Sequence, residues 1–274
     1  MKLLVVGGSG YLGSELVRQS AAAGWDTAAT YRSRACDVPG VAWHRLDIRV
    51  PGQVDDVIGA AAPDVVINAT SGYSDWAVTA DGAIRVAMSA VRQGRRLVHV
   101  SSDAVFSGAR THYDESCLPD PVTPYGAAKA AAETAVRLLA PEAAVARTSL
   151  IVGDGLSVHE RLVHALAADP RDGVLFTDDV RCPVHVADLA AALRELAASG
   201  KAGMFHLAGT DAVSRHQLGL LIARRDGLDP ARLPAGRRAR SGPPGALDVR
   251  LEGAATRSRL RSRLRGVREF LDAG

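Results

Sequence analysis

Cysteine is scarce: Cys36, Cys117 and Cys182 are the whole supply in 274 residues. Their odd number and wide spacing exclude a disulfide framework, a Cys-x-x-Cys redox pair and a cysteine zinc site, and they suit a reducing cytosol. Long apolar runs are missing too, since none approaches the roughly 18 residues of a membrane span. The first run, Leu3 to Val6, stops at Gly7 and Gly8, too short for the core of a signal peptide. A soluble, cytoplasmic protein without a membrane partner is expected. Charge of one sign does not dominate: the formal net charge is +3, with acids and bases mostly interspersed, which excludes nucleic acid as a partner. His44, His99, His185 and His206 lack metal-ligand spacing, so they read as structural and no metal is implied.

What is present is an alternation. Short apolar runs at about Lys2 to Val6, Thr27 to Tyr31, Val41 to Arg45, Val65 to Asn68, Arg96 to Ser101 and Ala143 to Thr148 are mostly separated by helical patterns. Strand then helix, repeated, predicts an α/β chain with a doubly wound parallel sheet of Rossmann type. After about residue 150 the pattern loosens, with strands expected at Val174 to Phe176 and Gly203 to Leu207 and helices at Val186 to Ala198 and Arg215 to Arg224. The expected division is a nucleotide-binding Rossmann domain over residues 1–150, to which 184–210 return, and a smaller C-terminal substrate-binding lobe from 151–183 and 211–274. Leu233 to Gly245, rich in proline and glycine, is expected to be a surface loop.

Gly7-Gly8-Ser9-Gly10-Tyr11-Leu12-Gly13 directly follows the first strand and opens a helical run that Gly24 is placed to end. Such a turn brings backbone amides and a helix N-terminus to a pyrophosphate, so Gly7, Gly10, Tyr11, Leu12 and Gly13 are assigned to a dinucleotide. The second strand ends in Tyr31-Arg32-Ser33-Arg34, with no acid to hold a ribose 2′-hydroxyl. Arg32, helped by Ser33 and Arg34, therefore selects NADP through its 2′-phosphate; a solvated arginine pair is the plainer alternative. Asp47 and Ile48 are placed beside the adenine, and Ala69 and Thr70, after Asn68, beside the cofactor at the sheet's carboxyl edge.

Tyr125 and Lys129 stand one helical turn apart at the start of a run ending near Leu139, and so share a face. The lysine charge favours the phenolate, bringing a phenol toward useful proton transfer, and Ser102 at the end of the fifth strand can bond a carbonyl oxygen as it gains charge. These three are the catalytic candidates, and Lys129 and Tyr125 also border the cofactor.

With these motifs the chain resembles an extended or atypical short-chain dehydrogenase/reductase, nearest to the dTDP-4-dehydrorhamnose reductase group. The matching segments are Gly7 to Gly13, Ser101 to Phe106, Tyr125 to Lys129 with Glu133, Arg147-Thr148-Ser149, Pro183 to Ala190, and Phe205 to Gly209. The resemblance implies that Tyr125 is the proton donor, that Ser102 polarises the carbonyl, that Lys129 orients the nicotinamide ribose and tunes Tyr125, and that Asp103, Leu150 and Arg181 meet the substrate. It implies NADPH-dependent reduction of a keto group on a nucleotide-activated deoxysugar or related carbonyl compound. A nucleotide-sugar epimerase or dehydratase, and a non-catalytic NADP-binding regulatory subunit, are the alternatives, and a homodimer is admissible.

Two departures bear on substrate. Leu150 stands where the rhamnose-forming reductases usually have tryptophan, so an aromatic sugar-facing wall is missing unless Tyr73 or Trp76 replaces it. Thr79 stands where an asparagine supports the proton relay, and could hold a water instead. Asp178-Asp179 reads as a turn as readily as a cation site. Arg237, Arg238 and Arg240 and the arginines from 257 to 268, the latter with Leu260, Leu264, Val267 and Leu271 at helical spacing, read as solvated faces or as contacts for a substrate pyrophosphate.

Overall fold

The computed structural model describes residues 1–73 and 75–271. Short, mostly continuous buried runs build a seven-stranded parallel sheet: β1 (Lys2–Val6), β2 (Asp26–Tyr31), β3 (Ala42–Arg45), β4 (Val65–Asn68), β5 (Arg96–Ser102), β6 (Ala144–Thr148) and β7 (Gly203–Leu207). Their spatial order is β7-β6-β5-β4-β1-β2-β3. The order reverses at β1, and it is outside the carboxyl ends beside such a reversal that doubly wound sheets bind ligands.

Alternation assigns side chains to faces. Leu3 and Val5 of β1 pack with Leu16 and Val17 of α1 (Tyr11–Ala22) and Leu189, Leu193 and Leu196 of α6 (Val186–Ser199). Leu4 and Val6 point the other way, to Val54 and Ile58 of α2 (Gln53–Ala61), Val86 and Ala90 of α3 (Gly82–Arg92) and Val136 of α4 (Pro124–Leu139). Each fully buried leucine or valine contributes roughly 1.5–3 kcal/mol. A separate core joins Leu150, Val163 and Leu166 of α5 (Val158–Ala168) to Leu218, Leu221 and Ile222 of α7 (Arg215–Arg225), with Val267 and Leu271. Both α5 and α7 start with a capping box, Ser157 with Glu160 and Ser214 with Gln217.

Two expectations need correction. The segment 233–245 is not all loop: Ala235–Gly236 pairs in parallel with Leu175–Phe176, and Arg238–Ser241 forms one helical turn. Pro234, Pro243 and Pro244 flank these short elements, where a missing N–H costs nothing. The arginine-rich stretch near the C-terminus is not one amphipathic helix either. Helix Ala254–Arg259 stops, and a new one begins at Val267. Between them the Glu195 carboxylate accepts the N–H groups of Arg261 and Ser262, and Asp188 accepts that of Arg265, so side chains take the place of helical carbonyls. Among the described residues no helix is long and apolar enough to cross a membrane.

Candidate active site

A cleft of about 1020 Å³ runs along the carboxyl edge of the sheet and under the second lobe. At one end lies the glycine turn. Gly7 has φ +88°, and a Cβ there would press on Thr70. Gly13 does not line the cleft, but a Cβ on it would fall 2.0 Å from the Gly7 carbonyl oxygen, so α1 can cross this close only with glycine. Gly10 caps α1 without a side-chain hydrogen bond, which leaves helix N–H groups to face an anion. A cradle that a Cβ would fill, ending in an uncapped helix, fits a pyrophosphate. Gly7, Gly10, Tyr11 and Leu12 line it.

Arg32, Asp47, Ile48, Ala69 and Thr70 line the same half, whereas Ser33 lies outside the cleft on exposed chain. Asp47 is held by Arg49, with Nε to Oδ1 at 2.9 Å and Nη2 to Oδ2 at 2.6 Å. Those hydrogen bonds lower its pKa to about 2.

Ser102, Tyr125 and Lys129 meet at the middle of the cleft. Thr123 caps α4 by accepting the Gly126 N–H at 3.0 Å, and Pro124 occupies the first turn, so Tyr125 is presented at the helix start. The Lys129 ammonium is buried and donates to the carbonyls of Val100 at 3.1 Å and Thr70 at 3.3 Å. Burial lowers its pKa to about 8. Burial also raises the Tyr125 phenol, against hydrogen bonds with Ser71 and Ser102 that lower it. Desolvation thus outweighs the expected stabilisation of the phenolate, and Tyr125 keeps its proton at neutral pH.

Asp103 knits the neighbouring side chains together. One oxygen accepts from Ser149 Oγ at 2.6 Å, the other from Ser102 Oγ at 3.3 Å, and Arg181 Nε approaches to 3.7 Å. Its carboxylate therefore anchors the site. Arg181, Arg215 and Arg238 converge on the buried carboxylate of Asp179, at 2.9, 3.5 and 2.6 Å. Asp178-Asp179 is thus more than a turn. Arg161 extends this basic wall, and His159 lines the cleft beside it, with His159 Nδ1 3.2 Å from Arg215 Nη1. Burial, reinforced by Arg215, lowers the His159 pKa to about 3, so it stays neutral.

Leu150 is buried and lines the cleft as an aliphatic wall. The aromatic surface comes from the loop after β4. Tyr73 is 67% exposed, with its ring centroid 6.5 Å from that of Tyr125, while Trp76 lies outside the cleft and donates Nε1–H to Asp81. Thr79 does not serve as the expected water holder. Its hydroxyl donates to the Tyr73 carbonyl and accepts the Gly72 N–H, both at 3.1 Å, so it ties down the Tyr73 loop. His99 and His206 are buried among the strands, as expected for structural histidines. Ser71, His159, Arg161 and Arg215 were not singled out from the sequence, and Ser149 entered only within a matching segment; they follow ordinary local patterns, and only packing over the sheet gathers His159, Arg161 and Arg215.

With this geometry in place, comparison with known proteins is decisive. The family model described as "RmlD substrate binding domain" matches residues 1–244. The chain belongs to that family. A dTDP-4-dehydrorhamnose reductase of Mycobacterium tuberculosis is 33% identical over 250 residues, covering 85% of this chain and 78% of the relative. The spore coat polysaccharide biosynthesis protein SpsK of Bacillus subtilis is 29% identical over 241 residues, 84% and 81% of the two chains. Among solved structures, a Bacillus anthracis dTDP-4-dehydrorhamnose reductase in complex with NADP superposes with TM-score 0.83 at 22% identity, over 98% of this chain and 96% of the other. The shared fold is the α/β arrangement expected from the alternation, and family members of this kind are oxidoreductases of sugar nucleotides.

Proposed function

We propose that this protein reduces a keto group on a nucleotide-activated deoxysugar, with NADPH as the reductant. The observation that carries it is a single cleft in which Ser102, Tyr125 and Lys129 stand between a glycine cradle and an arginine wall. NADPH, when bound, supplies the hydride. The Gly7–Leu12 turn would hold its pyrophosphate, Arg32 its 2′-phosphate, and Lys129 its nicotinamide ribose. Tyr125, protonated because it is buried, donates its proton to the carbonyl oxygen. Ser102, whose hydroxyl accepts the Ala104 N–H at 3.2 Å and donates to Asp103 over 3.3 Å, swings that donated hydrogen bond to the same oxygen as negative charge develops. Arg181, Arg215 and Arg238 face two carboxylates, Asp103 and Asp179, so positive charge is left over for a substrate pyrophosphate.

The test is a screen of keto-sugar nucleotides, dTDP-4-dehydrorhamnose among them, scored by NADPH oxidised and product formed. One NADPH consumed per product is expected. Product without net NADPH loss would mean epimerase or dehydratase chemistry, and no turnover across the panel would overturn the proposal.

Tyr73 offers the aromatic face that position 150 lacks, and a stacked sugar ring would depend on it. Tyr73→Ala is expected to raise KM for the best sugar nucleotide about tenfold, the equivalent of about 1.4 kcal/mol, and to leave NADPH binding unchanged. Steady-state kinetics showing an unaltered KM would remove Tyr73 from the substrate wall.

A further inference from the structure

A second, smaller hollow of about 370 Å³ adjoins the cofactor half of the cleft. It is lined by Arg32, Arg45, Asp47, Val50 and Gln53, and Arg32 and Asp47 border both spaces. We propose that Arg45 is the second arm of the site for the adenosine 2′-phosphate, closing on it from β3 while Arg32 closes from β2. The proposal rests on the NADPH reading above.

The two arginines come together by strand register. Tyr31 of β2 stands opposite Arg45 of β3, and the Leu46 N–H donates to the Tyr31 carbonyl at 2.8 Å, so both strands end level and Arg32 follows at once. The charge balance then favours a dianion. Asp47 is the one acid lining the hollow, and Arg49 takes both its carboxylate oxygens. Arg32 and Arg45 remain as two positive charges, against the −1.5 to −2 or so that a phosphate monoester carries at pH 7. Among the described residues, no side-chain hydrogen bond or ion pair occupies the Arg45 guanidinium. Gln53 adds a donor: its Oε1 accepts the Asp47 N–H at 3.0 Å, which leaves its amide NH2 for an acceptor. Guanidinium groups match phosphate oxygens in pairs, so two arginines on adjacent strands can hold a phosphate from two sides.

The experiment is equilibrium titration of the full chain with NADPH, NADH and 2′,5′-ADP, for the wild type, Arg45→Ala, Arg32→Ala and the double variant. Both side chains are exposed, so the variants should fold, and thermal melting checks this. Each single variant is expected to lose about tenfold or more in affinity for NADPH and 2′,5′-ADP, and none for NADH, because a charge-assisted hydrogen bond to the phosphate disappears. The double variant should bind NADPH and NADH alike. If Arg45→Ala keeps the full NADPH preference, or weakens both cofactors equally, Arg45 is not a phosphate ligand. A wild type that binds NADPH no more tightly than NADH would instead sink the cofactor reading itself.

Discussion

Tyr125→Phe should bind NADPH like the wild type and reduce its best substrate about a hundredfold more slowly, or worse, because only the transferable proton is lost. The ring remains to pack at the start of α4, where Thr123 caps the helix and Pro124 fixes its first turn. Cofactor binding should not need the hydroxyl, because the glycine cradle and Arg32 would contact other parts of the dinucleotide. Binding and rate should therefore separate, with the loss in kcat rather than in cofactor Kd. Titration and single-turnover measurements on the same sample check both halves. A variant that retains most of its turnover would move the acid to another group, and Ser102 and Ser71, the hydroxyls bonded to Tyr125, would be the first to examine.

Glu133→Ala is expected to lower stability by about 3–5 kcal/mol, since it strands a buried guanidinium. Glu133 and Arg147 are each 1% exposed, and the Arg147 Nη2 to Glu133 Oε2 distance is 2.8 Å. Ser101 Oγ donates to the same carboxylate at 2.6 Å, and Arg147 also donates to the Cys117 carbonyl and stacks over Phe106. The pair therefore joins β5, α4 and β6 beneath Ser102 and Lys129. Melting should drop on the order of 10 °C. Removing both charges together, with Glu133→Leu and Arg147→Met, should cost less than Glu133→Ala alone, because no unpaired ion is left. Calorimetry in which the single change is harmless would show that water reaches Arg147.

Much of this was legible in the sequence because it depends on local order. The glycine turn, the first six strands and the Tyr125–Lys129 spacing each lie within a short stretch, and period or helical offset fixes which face a residue takes. The resemblance then supplied Asp103 and Arg181, and both, like Ser102, reach the cleft. The basic wall was legible only in part: Arg181 and Arg238 were candidates for substrate contact, but Arg215 was not, and the three come from separate segments that converge on Asp179. The role of Thr79 was hidden for a similar reason: its partners are backbone atoms of a loop, and backbone geometry leaves no trace in residue type. The break at residues 260–266 depended on Glu195 and Asp188, more than sixty positions upstream by the hydrogen bonds they accept.

The last strand of the sheet has a consequence for synthesis. β7 pairs with β6 through Gly203–Leu207, after the chain has already left for α5 and come back through α6. While a nascent chain has emerged only as far as β6, that strand is an unpaired edge, and the apolar face that α6 covers on Leu3, Val5 and Ala146 is bare. β5 and α4 are then in place but flanked by an open edge, a species prone to pair with other chains. Completion of the sheet must wait for α6 and β7, which follow the whole of α5, and the second core waits longer still for α7 and Val267, so neither core closes until late in translation.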